Sequence, residues 1–141
     1  MRYNIRMTKK QLDVMAEALE FFTRFNSGQM EYMSPSLEKY NWDNHKDTFS
    51  DVRDIHDNAA FIMKRNMFGF QRNQHAGISS DIPEVGIGYE MYKMVLLNRH
   101  QEWQAENPDD TNYSVHSSEP LKVSDEPLIR ITKQLKQKQD A

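Results

Sequence analysis

Several groups that could do chemistry gather between residues 66 and 78: Asn66-Met67-Phe68-Gly69-Phe70-Gln71-Arg72-Asn73-Gln74-His75-Ala76-Gly77-Ile78. Glycine admits positive φ or a close backbone approach. Phe68 and Phe70 offer flat stacking faces, while Asn73, the glutamines and Arg72 offer directed hydrogen bonds. His75 is the histidine best placed for a ligand contact. A loop of this composition between two helices could hold a planar, phosphate-bearing molecule. The same residue types also fit a loop that binds nothing, with both phenylalanines capping the core and the polar groups in water.

Three arginines elsewhere invite the same question. Arg99 falls in the middle of an apolar helical face formed by Val85, Tyr89, Tyr92, Val95, Leu96 and Trp103. A buried, unpaired charge is very costly. Arg99 therefore needs an acidic partner from another helix, an exit along its methylene stem, or a bound phosphate gripped by two parallel bonds. Arg24 has Glu20 four residues before it, and Arg53 has Asp57 four residues after it. The ordinary reading of each is a solvated helix-surface pair. Where such an arginine served a ligand, its acid would position it.

Catalytic and metal patterns are missing. The histidines have no HxxxH-like spacing, and His56 and His100 sit beside apolar arcs as core histidines do. There is no Gly-x-Ser-x-Gly, Walker or dinucleotide-binding pattern. Gly86-Ile87-Gly88 lies inside an expected helix, where small residues permit another helix to approach. The residues point to a binding protein rather than an enzyme, with no cofactor and no metal.

The elements that must position these groups read as follows. Residues 2–7 alternate, with Tyr3, Ile5 and Met7 on one face, as a half-buried strand does. Thr8 and Gln11 form a capping-box pattern that starts a helix over about 9–26. Leu12, Met15, Leu19 and Phe22 make its apolar stripe, widened by Val14, Ala18, Phe21 and Phe25, and Ser27-Gly28 ends it. Residues 29–45, with Met30, Tyr32, Met33, Tyr40 and Trp42, are expected as an ordered loop on the core. A second helix over about 46–66 should turn Val52, Ile55, Ala59, Ile62 and Met63 inward. A third over about 82–104 starts at Asp81-Ile82-Pro83. Strands at about 112–117 and 127–132 follow, then a charged tail at 134–141. The expected fold is a single α+β domain over 1–141. In it a small antiparallel sheet from the N- and C-terminal strands packs against about three helices.

Composition sets the outer limits. With 141 residues the chain suits one domain. A formal net charge of −3 provides no general basic field for long nucleic acid. There are no cysteines, which removes disulfides and thiolate chemistry. The start, Met1 to Arg6, has no apolar leader region, and no stretch is apolar enough for a membrane span. A soluble cytoplasmic protein is expected. Nine methionines suit an adaptable subunit interface.

Taken in order, several segments form a recognisable ensemble. These are Lys9 to Met30 with Ala18-Leu19-Glu20-Phe21-Phe22 and Arg24, then Arg53-Asp54, then Asn73-x-x-Ala76-Gly77-Ile78. Tyr89-Glu90-Met91-Tyr92, Val115-His116, Glu119-Pro120-Leu121 and Glu126-Pro127-Leu128 follow. This ensemble resembles the phage Thoeris anti-defence protein 1 family over nearly the whole chain. The resemblance implies a phage-encoded sponge acting in the host bacterial cytoplasm. Such a protein binds immune signalling nucleotides and withholds them uncleaved. The ligands implied are glycocyclic ADP-ribose of Thoeris and, in some members, cyclic oligonucleotides of the CBASS type. Homodimers, assembling further into hexamers, with ligands between subunits are also implied. Residue by residue, the carry-over reaches Arg24, Arg53, Phe68 or Phe70, and Asn73. Ala76 stands where the family has an aromatic. Gly86 or Gly88 stands where it commonly has an arginine, for which Arg99 could substitute. The alternative reading is a protein–protein interaction module that inhibits a host enzyme.

Overall fold

The computed structural model describes residues 1–32, 49–79, 81–111 and 114–133. Three α-helices organise them: α1 (Lys9–Asn26), α2 (Phe49–Phe68) and α3 (Pro83–Glu106). Short 3-10 turns lie at Met30–Tyr32 and Gly77–Ser79. The Thr8 hydroxyl accepts from the Gln11 amide at 3.2 Å, and the Gln11 side chain accepts from the Thr8 amide at 2.8 Å. This reciprocal cap satisfies two otherwise orphaned donors and fixes where α1 begins. Pro83 occupies the first turn of α3, where its missing N–H costs nothing.

Helices α1 and α3 make the core. Ala16, Tyr92 and Val95 are buried at its centre, with Leu12, Met15, Leu19, Tyr89, Leu96, Ile129 and Ile131 packed around them. Gly88 sets the helix separation. A Cβ there would stand 2.7 Å from Thr23 Oγ1 and 3.4 Å from Phe22, so only glycine allows this approach. Gly86 does the same on another side of α3, where Val123 Cγ2 would lie 3.2 Å from an added Cβ.

The segment facing Gly86 is held by Glu90, a buried carboxylate on α3. Its Oε1 accepts from the backbone N–H groups of Val123 at 2.7 Å and Ser124 at 2.6 Å. Its Oε2 accepts from Lys122 Nζ at 2.9 Å and the Ser124 hydroxyl at 2.8 Å. Burial alone would raise this carboxyl's pKa. The Lys122 ammonium and the three Val123 and Ser124 donors outweigh burial and bring it to about 2.

The expected α+β fold is not what forms: no strand or sheet occurs among the described residues. Residues 2–7 form no strand and are exposed, Tyr3 being 79% and Ile5 74% exposed. Alternation alone does not make a strand without a partner to accept its hydrogen bonds. In the stretch expected as the 112–117 strand, residues 112–113 lie outside the described residues. The rest turns back, with Ser117 N–H donating to the Ser114 carbonyl at 3.0 Å. The Ser114 hydroxyl accepts from His116 N–H at 3.1 Å, a side-chain competitor to strand pairing. Residues 127–132 carry no strand; their docking comes from Ile129 and Ile131 on the core.

Helix α2 also faces the other way from expectation. Among its described side chains Ala60 and Lys64 are buried, while Ile55 and Ile62 are 66% and 59% exposed. Among the described residues it packs chiefly on the Met30–Tyr32 turn rather than on the α1–α3 core. Of the aromatic and methionine positions expected to lie on the core, Met30 is fully buried. Met33, Tyr40 and Trp42 lie outside the described residues, as do 46–48 and the tail 134–141.

Candidate functional site

The C-terminus of α1 begins the site. Gly28 has φ +83°, open to glycine, and a Cβ there would meet the Phe70 ring at 2.8 Å. The chain can therefore turn tightly under Phe70. One strut fastens the loop to this turn: the Ala76 N–H donates to the Ser27 carbonyl at 2.9 Å. Phe70 stacks on Phe68 with centroids 5.4 Å apart and planes 12° from parallel.

Arg24 is held from several sides. Its Nε and Nη2 donate to Glu20 Oε1 at 3.0 and 2.9 Å. Nη1 donates to Gln29 Oε1 at 2.8 Å, and the guanidinium lies 4.4 Å over the Tyr32 ring. Burial and the Glu20 charge raise the Tyr32 hydroxyl pKa, with Arg24 opposing. The Glu20 pairing matches the helix-surface reading of Arg24. Because Gln29 Oε1 is committed to Arg24, its Nε2 points to His75 Nδ1 at 3.3 Å. An amide nitrogen donates, so Nδ1 accepts and the neutral His75 ring carries its hydrogen on Nε2.

Below this lies an open hollow of about 400 Å³, bordered by Glu31, Asp57, Lys64, Arg72, Asn73 and His75. Lys64, only 1% exposed, donates to Glu31 Oε1 at 2.7 Å and to the Arg72 carbonyl at 2.7 Å. Arg72 is splayed over the Phe61 ring at 4.6 Å, and its Nη2 donates to Asn58 Oδ1 at 3.0 Å. A turn in the loop is set by the Gln71 N–H, which donates to Gln74 Oε1 at 2.7 Å. Cations, carboxylates, an amide and an imidazole thus face one space.

Of the residues singled out from sequence, Asn73 and His75 border the hollow, and Phe68 and Phe70 stack on the same loop. Arg24 reaches His75 through Gln29. Arg53 is exposed on α2, one helical turn before Asp57 and on its face. Arg99 is elsewhere. Its Nε and Nη2 donate to Asp13 Oδ1 at 2.8 and 2.7 Å. Burial pushes the Asp13 carboxyl up, but Arg99 and Lys9 bring the net shift down. Asp13 is eleven residues before Arg24, about 16 Å along the helix axis. The acidic partner from another helix answers the Arg99 anomaly.

Sequence reasoning missed Glu31, Lys64 and Gln29. Lys64 follows His56 and Ala60 at four-residue spacing and precedes Phe68 by four. That inner row was readable, but the stronger apolar row at Ile55, Ala59 and Ile62 obscured it. Comparison with protein-family models, curated proteins and solved structures finds no match.

Proposed function

We propose that this chain binds and sequesters an anionic signalling nucleotide, such as glycocyclic ADP-ribose or a cyclic oligonucleotide, without cleaving it. The observation that carries the reading is the convergence of Lys64, Arg72, Asn73 and His75 on one hollow, in a loop whose first residues carry the Phe68–Phe70 stack. Cations suit phosphate oxygens, Asn73 and the carboxylates suit ribose hydroxyls, and an aromatic face suits a base. Stacking is worth about 1–3 kcal/mol per base. The resemblance drawn from the segments around Arg24, Arg53 and Asn73 supports the same reading and implies action in a host bacterial cytoplasm. Among the described residues no helix is long and apolar enough to cross a membrane. Incubation with glycocyclic ADP-ribose should deplete the free ligand, and heat denaturation should return it intact. Recovery of a cleaved product would make the protein an enzyme and overturn the proposal.

A second reading concerns α2. Ile55 and Ile62 are exposed opposite the buried Ala60 and Lys64 of α2, with Met63 and Met67 exposed on its flank. Such a stripe suits a protein partner. A second copy of this chain is the partner we favour, since nanomolar retention needs about −12 kcal/mol, more than an open hollow on one subunit supplies. A host enzyme is the alternative occupant. Sedimentation of the purified chain separates them: a dimer supports self-association, and a monomer favours the host partner.

A further inference from the structure

Lys64 is the least accessible charged group in the described molecule, and it borders its most functional-looking space. Its ammonium has three N–H donors. Two are used, on Glu31 Oε1 and the Arg72 carbonyl, each at 2.7 Å. The third has no acceptor among the described residues. For stability alone a lysine is a poor choice here, since apolar side chains of similar size replace buried ion pairs without loss. Glu31 pairs with the ammonium and aims it, and its own side chain stays 39% exposed at the rim. The Arg72 carbonyl ties the same ammonium to the loop that carries Asn73 and His75.

Resting on the nucleotide reading of this hollow, we propose that Lys64 is its oxyanion anchor. Its remaining N–H donates to a non-bridging phosphate oxygen, with Arg72 and His75 meeting the phosphate from the rim. The ligand class is a phosphate ester of low charge. Glu31 cancels one of the two cationic charges, so the hollow does not offer the full charge of Lys64 and Arg72 to the phosphate. Lys64 is accordingly a specificity-determining residue, as it rewards the phosphate and not the nucleoside.

Titrations of adenosine 5′-monophosphate, adenosine and pyrophosphate, followed by NMR, test this. The wild-type chain should bind the monophosphate about tenfold or more tighter than adenosine, as a charge-assisted hydrogen bond provides. Lys64→Met should reduce that preference to about twofold while adenosine affinity holds. Glu31→Gln keeps an acceptor for Lys64 and removes a negative charge, so it should strengthen monophosphate binding and leave adenosine unchanged. If Lys64→Met weakens both ligands equally, or neither, the anchor is overturned while the nucleotide reading stands. If pyrophosphate binds and loses to Lys64→Met but adenosine adds nothing to affinity, the anchor stands and the nucleotide reading falls. Binding of none of the probes by the wild type overturns both. Should Lys64→Met not fold, the opposite-sign response of Glu31→Gln carries the test. No gain for the monophosphate there counts against the anchor.

Discussion

Gln29 donates through Nε2 to Nδ1 of His75 at 3.3 Å, tying the turn after α1 to the loop that follows α2. The same side chain accepts from Arg24, so one amide sets both the guanidinium and the imidazole tautomer. Gln29→Ala should release the loop without dismantling the core. We expect ligand affinity to fall about tenfold, with a stability change near 1 kcal/mol, by calorimetry and urea unfolding. Unchanged affinity would show that this bridge does not prepare the site.

Glu90 gives a pH prediction with a definite sign. Its folded pKa of about 2 lies below the ordinary 4.5, so ionisation stabilises the fold above pH 4.5. That contribution, about 3 kcal/mol, is lost as the pH falls through about 2. Acid titrations of unfolding free energy should show this decline in the wild type, with Glu90→Gln less stable at pH 7 and flatter below pH 4.5. Parallel curves would mean that the Lys122–Ser124 clasp is not formed.

Gly88 should be intolerant of a side chain. Gly88→Ala drives a methyl against Thr23 Oγ1, an oxygen that is buried and without a hydrogen-bond partner. A loss of about 1–3 kcal/mol is expected from overpacking. Thr23→Ala in the same chain should restore part of it, because the obstructing oxygen is gone. Denaturant unfolding of the single and double variants reads this directly, and full additivity would contradict the proposed contact.

The exposed face of α2 separates folding from association. Ile62→Glu should leave monomer stability within about 0.5 kcal/mol, as surface substitutions do. It should lower the sedimenting mass if that face joins two copies. A large loss of stability in a chain that is monomeric throughout would mean that the face is covered within the subunit.

Much of the helical frame was legible from local chemistry, and much of its packing was not. Thr8 with Gln11 marks the start of α1, and Pro83 marks that of α3, because capping is a short-range effect. The orientation of α2 was misread since periodicity reports which face is apolar, not which face has a neighbour. Lys64 is buried because Glu31 and the Arg72 carbonyl, far off in sequence or backbone-borne, receive its charge. Residues 2–7, by their alternation, and residues 127–132 suggested strands, yet pairing depends on partners that local pattern does not contain. In the site, loop residues Asn73 and His75 were found by composition. Arg99 was singled out by its place on an apolar face, and its partner Asp13 lies eighty-six residues away.

Because that pair is remote from the hollow, Arg99→Met should leave nucleotide affinity unchanged, whereas Asn73→Ala should lower it about tenfold or more. Equal losses in both, by calorimetry, would place the ligand elsewhere.

The most direct measurement is backbone amide NMR of the isotope-labelled chain titrated with cyclic ADP-ribose. Saturable shifts confined to Gln29–Tyr32, Asp57–Lys64 and Phe68–Ala76 are the result expected. Shifts centred on Asp13 and Arg99, or none at millimolar ligand, would contradict a nucleotide site in the hollow.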